Sequence, residues 1–215
     1  MTQPPTGDSG RMPLARRLSD PSNTLLWIGL AALLLVLTVW LSFTPQGILG
    51  KADAVGYAVC HRISVRSFHF PDGRAVPLCA RCSGTFLGVL VGLLAPGLLF
   101  GRRHAARFPK VALTIMLLLF SAWWAVDGAN SFMHLLPESL RLPRLFEPNN
   151  FLRLTTGMLH GITMGSLILP IVNATLWADA ADEPTVKSLW ELLALVGIGA
   201  ALVAMVYSEY WLFLY

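Results

Sequence analysis

The chain has 215 residues, 55% of them hydrophobic and 13% charged, with a mean hydropathy of +0.61. Soluble domains carry about 25% charged residues, so this composition excludes an ordinary soluble enzyme and points to a membrane protein. The net charge of +4 is no sign of nucleic acid, because the basic residues are spread over several connecting segments; lipid head groups are their expected counter-charge.

Residues 1–22, MTQPPTGDSGRMPLARRLSDPS, combine Pro, Gly, Ser and charge with too little apolar surface to offset ordering entropy, and are expected to form a mobile tail. A helix crossing the hydrocarbon core needs about 20 mostly apolar residues. Five segments meet that need: Thr24 to Phe43, Ser83 to Gly101, the shorter Val111 to Val126, Leu154 to Trp177 and Leu192 to Ser208. The predicted fold class is an all-α integral membrane protein with five transmembrane helices. Its expected organisation is a tail (1–22), a first transmembrane helix (23–45), an extramembrane Cys/His hairpin segment (46–82) and a four-helix transmembrane bundle (83–215).

The segment CHRISVRSFHFPDGRAVPLCARC, Cys60 to Cys82, holds all three cysteines of the chain and two of its five histidines. Val65, Ser67 and His69 alternate with Arg66, Phe68 and Phe70, and Pro71-Asp72-Gly73 is a turn signal, so the pattern predicts a short β-hairpin. Folding back the 18-residue spacer would bring Cys60 and His61 to Cys79 and Cys82. Such spacing falls within the range of zinc sites built from two ligand pairs, and thiolates with imidazole favour tetrahedral Zn²⁺ with Zn–S near about 2.3 Å. The predicted ligands are Cys60, His61, Cys79 and Cys82, with zinc as the cofactor. Neighbouring side chains diverge, so His69 or a water competes with His61 for the fourth place, and a water would leave the site open. The rival chemistry is redox: a CxxC at a helix N-terminus has its thiol pKa lowered by the dipole.

Gly84, Gly88 and Gly92 form one stripe, and Gly157, Gly161 and Gly165 another, each allowing close backbone approach between membrane helices. The second and fourth spans are expected to pack together, or each on its successor. Arg81 and Arg153 precede the stripes and Pro96 and Pro170 follow them, which suggests a 2+2 parallel repeat.

If the third helix continues past Val126, Asp127, Asn130 and His134 share a face, as Arg153, Thr156, His160 and Thr163 do on the fourth. Ionisable groups near hydrocarbon are costly unless paired or hydrated, so the two faces should meet or line a cavity, with Asp127 pairing to Arg153. Asp127, Asn130, His134, Arg153, His160 and Glu209 are the candidates for binding a lipid or quinone head group. A purely structural pair, and a packing role for His160, are the plainer alternatives. Tyr207, Tyr210, Trp211 and Tyr215 suggest an interfacial belt.

Lys and Arg divide eight to eight between the two sides of such a bundle. The short second loop GRRHAARFPK is the most densely basic and is placed in the cytoplasm. That puts the Cys/His segment on the outer face of the plasma membrane.

The motifs CHR, PLCARCSGTFLG, WAVDGAN and NNFLRLTTGMLHG together resemble an uncharacterised prokaryotic integral-membrane family, domain of unknown function 2085, over about residues 55 to 170. The resemblance implies a multi-pass protein with a Cys/His signature at Cys60, His61, Cys79 and Cys82, accompanied by Asp127, Gly128, Arg153 and Gly157. It implies no reaction. From the residues, the expected function is a zinc-type site at the membrane surface beside a polar cavity that binds or processes an amphipathic ligand. A thiol-disulfide oxidoreductase and an accessory subunit among membrane-protein partners are the alternatives.

Overall fold

In hydrocarbon each backbone N–H must find a carbonyl within its own segment, and the uninterrupted apolar runs of this chain accordingly form helices. The structure is a computed structural model that describes residues 21–137 and 143–209; the predicted tail, and Tyr210, Trp211 and Tyr215 of the predicted belt, lie outside the described residues. In chain order the elements are α1 (Pro21–Phe43), α2 (Gly47–Val59), a 3₁₀ turn (Ser64–Arg66), α3 (Ala80–Leu99), β1 (Ala105–Arg107), α4 (Val111–Met133), α5 (Asn150–Leu176), β2 (Ala181–Pro184) and α6 (Leu189–Tyr207). Five of the helices, α1 and α3 to α6, are long and apolar enough to cross a membrane.

The chain divides into two units, residues 1–51 and 52–215, with α2 running across the division. In the first, α1 exposes its apolar side chains along its length. The ammonium of Lys51 closes its C-terminal end, donating to Leu41 O at 2.8 Å and to Thr44 Oγ1 at 3.1 Å, where a cation suits the helix dipole.

In the second unit α5 is central and packs on α3, α4 and α6. The glycine stripes decide how closely. A Cβ added at Gly84, Gly88 or Gly92 would stand under 3.0 Å from Leu154 O, Met158 O or Ile162 O; one added at Gly157, Gly161 or Gly165 would stand as close to Arg81 O, Thr85 O or Val89 O. Both positions advance together along the chain, so α3 and α5 run parallel, backbone against backbone, with the stripes facing each other. Of the two packings expected for the stripes, the direct one is found.

The third span reaches Met133 and so carries Asp127 and Asn130 within α4; the fourth begins at Asn150, capped by Asn149 Oδ1, which accepts from Leu152 N at 2.8 Å. Three features depart from expectation. Helix α2 occupies part of the connecting segment expected to be non-helical. The predicted hairpin is reduced to one antiparallel bridge, His69 to Ala75, closed by Phe70 N to Arg74 O at 2.8 Å and Val76 N to Phe68 O at 3.0 Å. The alternation fails because Ser64–Arg66 coils into a 3₁₀ turn and Ser67 and Phe68, adjacent in sequence, are both buried. The named strands instead pair elsewhere and in parallel, Ala105 with Ala181 and Arg107 with Pro184.

Candidate metal centre and adjoining cavity

Cys60 follows α2, Cys79 is the N-cap residue of α3, and Cys82 stands in its first turn. Glycine again sets the approach: a Cβ on Gly56 would lie under 3.0 Å from Pro77 O, so the last turn of α2 rests on the strand of chain entering α3. Cys60 is thereby carried to the other two thiols, and the Sγ atoms of Cys60, Cys79 and Cys82 all lie within 4.8 Å of one another. The 18-residue spacer is closed by this helix-to-backbone contact as well as by the bridge at its tip.

The cluster suits a thiophilic cation. Three sulfurs at about 2.3 Å from one zinc ion would stand about 3.8 Å apart, a small contraction of what is present. Cys60 Sγ accepts two backbone N–H bonds, from Arg62 at 3.5 Å and Cys79 at 3.3 Å, the outer-shell support that orients a thiolate ligand. Two residues on, Arg62 takes a left-handed conformation, φ 48°, unfavourable for a residue with a Cβ by about 1–2 kcal/mol. Its guanidinium is held in place by Asp53 at 2.8 Å and by the Tyr57 ring, 4.2 Å from its centroid. A hydrogen bond from the Cys82 thiol brings Cys79 down to about 5, against the upward push of burial. Cys79 is therefore a thiolate at neutral pH.

His61 lines the neighbouring cavity but is not among the atoms that form the cluster. His69, the other histidine considered, is occupied elsewhere: its Nε2 pairs with Ser64 Oγ at 3.0 Å, and it lines a separate cavity of about 510 Å³ together with Glu209. The described residues thus supply three ligands, all sulfur.

A cavity of about 470 Å³ opens beside the sulfurs, walled by Ile63, Trp124, Phe132 and Leu135 and by four arginines, Arg62, Arg66, Arg81 and Arg153. Here the expected Asp127–Arg153 pair is corrected. Asp127, 1% exposed, is paired with Arg81 and accepts from Thr156 Oγ1 at 3.2 Å. Arg153, 6% exposed, donates instead to Asn150 Oδ1 at 2.9 Å. The reason is the close parallel packing of α3 on α5, which brings the first turn of α3, and Arg81 with it, to Asp127 on α4. Arg81 also reaches Ser131 Oγ at 3.1 Å, and Arg66 donates to Ser131 O at 2.6 Å.

The remaining candidates serve the frame. Asn130 anchors the connection before α5, donating to Phe146 O and accepting from Leu145 N, both at 2.8 Å. His134 Nδ1 stands 2.9 Å from Asn130 O. His160 stacks on Trp124 with ring centroids 4.1 Å apart and meets Ser121 Oγ at 3.0 Å. It therefore backs the cavity wall without lining it. Arg66, Arg81 and Trp124 were not anticipated. One signal existed for Arg81: a cation in the first turn of a helix opposes the dipole, and such a placement calls for a nearby anion.

The family of predicted membrane proteins designated DUF2085 matches residues 60–167. An uncharacterised protein of Methanocaldococcus jannaschii is 34% identical over 118 residues, 55% of this chain and 66% of its own, just under two thirds of its length. One from Methanothermobacter thermautotrophicus is 30% identical over 109 residues, 51% of this chain and 83% of its own. No solved structure matches. The matched span contains all three cysteines and Arg66, Arg81, Asp127 and Arg153.

Proposed function

The chain belongs to the DUF2085 family of predicted membrane proteins, and we propose that it holds a zinc-type ion at the membrane surface through Cys60, Cys79 and Cys82, beside a cavity that takes an amphipathic ligand. The observation that carries this reading is the convergence of three sulfurs within 4.8 Å from two separate parts of the chain. With three protein ligands, the fourth tetrahedral position belongs to water or to a polar atom of the ligand, the arrangement of an open zinc site. A zinc ion bound there would act as a Lewis acid toward that atom. The protein's own part is to keep the thiolates oriented through the N–H bonds on Cys60, and to offer apolar wall and cation together. The Cys/His segment is assigned to the outer face of the plasma membrane, on the density of basic residues in the segment containing β1.

Elemental analysis of the purified protein tests this. About one zinc per chain is expected for the native protein and a clear loss for Cys79→Ser; equal metal content in the two would remove the assignment. A second reading is favoured by the Cys79 thiolate beside Cys82: the thiolate–thiol pair gives two electrons and its one proton to a quinone, which takes its second proton from water, and the pair becomes a disulfide. A native protein whose thiols cycle reversibly with a soluble quinone, and which carries no metal, would select it.

A further inference from the structure

Three guanidinium groups of the cavity lie close together. Arg66 and Arg81 both bond to Ser131, and Arg153 lies close enough for both to act on its charge. The Nε atoms of all three are buried and have no hydrogen-bond partner among the described residues, and the same is true of Nε1 of Trp124, which lines the same cavity. An orphaned buried donor costs about 1–3 kcal/mol, more when charged, so four together mark a place where acceptors are expected from outside.

The charge balance points the same way. Arg62 pairs with Asp53, a carboxylate it shares with Arg74. Of Arg66, Arg81 and Arg153, only Arg81 has a carboxylate partner, Asp127; among the described residues Arg66 and Arg153 form no ion pair. We propose that this cavity binds the phosphoryl group of an anionic ligand, with Arg66, Arg81 and Arg153 as its donors and Trp124 Nε1 as a fourth. Three planar forks converging from three elements offer more donors than the two oxygens of a carboxylate can accept, whereas a tetrahedral oxyanion presents three or four acceptors. Trp124, Phe132 and Leu135 leave an apolar margin for whatever the phosphoryl group is attached to. The proposal rests on the reading of the cavity as a ligand site, and is independent of the metal.

The test uses the full chain in a non-ionic detergent and three probes: inorganic phosphate by equilibrium dialysis, and short-chain phosphatidic acid and phosphatidylcholine by native mass spectrometry. Saturable binding of a phosphate monoester probe is expected, weakened about 10–100-fold in Arg66→Gln and in Arg153→Gln, the effect of one charge-assisted hydrogen-bonding partner. Binding of inorganic phosphate as tightly as phosphatidic acid identifies a soluble phosphate ligand; tighter binding of phosphatidic acid identifies a lipid head group. Should Arg153→Gln fail to fold, Arg66→Gln, whose backbone lies outside the bundle, carries the test. Phosphatidic acid bound no better than phosphatidylcholine, together with no saturable phosphate, or equal affinities in native protein and Arg66→Gln, overturns the proposal. Zinc content measured on the same samples separates the outcomes: phosphate binding without zinc sinks only the metal assignment, and zinc without phosphate binding sinks only this one.

Discussion

At one end of the 52–215 unit Arg102 gives both terminal nitrogens to Glu191, and its Nη1 also reaches Pro184 O at 3.3 Å. At the other end Arg66, Arg81 and Arg153 each keep a buried Nε without a partner beside an open cavity. The first end is stitched shut: β1 and β2 pair across it, Asn173 Nδ2 donates to Ala105 O at 2.7 Å, and Thr185 and Val186 are fully buried. The same four helices run through both ends, so the contrast is not one of fold. Arg102, fully matched, holds the connections of the closed end together; at the open end the buried donors left without a partner give up stability that the proposed ligand would restore.

Substitution can break the frame that both ends share, and this should have the largest effect. In Gly161→Ala the new Cβ would sit under 3.0 Å from Thr85 O, Val89 N and Gly88 Cα. A loss of more than about 3 kcal/mol is expected, visible as loss of the monodisperse peak in size-exclusion chromatography in detergent. Arg102→Ala acts on the closed end alone. It leaves Glu191 without its fork, and thermal melting should report about 1–3 kcal/mol of destabilisation with zinc content unchanged. Gly56→Ala acts on the open end, forcing the end of α2 off Pro77 and Cys60 away from its partners. Zinc content should fall while the melting of the transmembrane part changes little.

The pH dependence sharpens the comparison further. Cys79 stands at about 5 in the folded chain against 9.0 for an ordinary thiol. Between these values the unfolded chain holds a proton that the native chain does not, so this group's contribution to stability is complete above pH 9 and lost as pH falls towards 5. In metal-free protein, alkylation of Cys79 should therefore persist at pH 6, and Cys82→Ala, which removes the hydrogen bond, should shift that profile upwards. The smallest change is expected for His160→Phe. Its stack on Trp124 survives and only the Ser121 contact goes, so melting should shift by less than about 1 kcal/mol equivalent. A larger loss would show that the cavity wall depends on the imidazole.

The sequence made the spans legible because hydrocarbon demands long apolar runs, and the glycine stripes legible because spacing of four places them on one helical face. Cys60, Cys79 and Cys82 could likewise be read as one cluster from the turn-bearing spacer between them. The partner of Asp127 was not legible: it is Arg81 on α3 and not Arg153. Spacing along α4 and α5 drew attention to Arg153, whereas the partner is chosen by which helix α3 lies against, and that follows from the depth of the Gly84–Gly157 contact. Helix α2 escaped notice because Gly50 and Gly56 weaken its helical signal and its apolar residues form no clear stripe. Strands of three and four residues such as β1 and β2 carry too little periodicity to register at all.

The interlocked backbones of α3 and α5 have a mechanical consequence. With carbonyls of one helix seated where side chains would otherwise stand on the other, Cys79, Arg81, Cys82 and Arg153 ride on a single stiff beam. Any widening of the entrance falls to the opposite jaw, Cys60 to Arg66, tethered by the Gly56 perch and the Ser131 carbonyl. For the ligand proposed above, admission and release would then fall to a short span of chain, while the anchoring surface stays still.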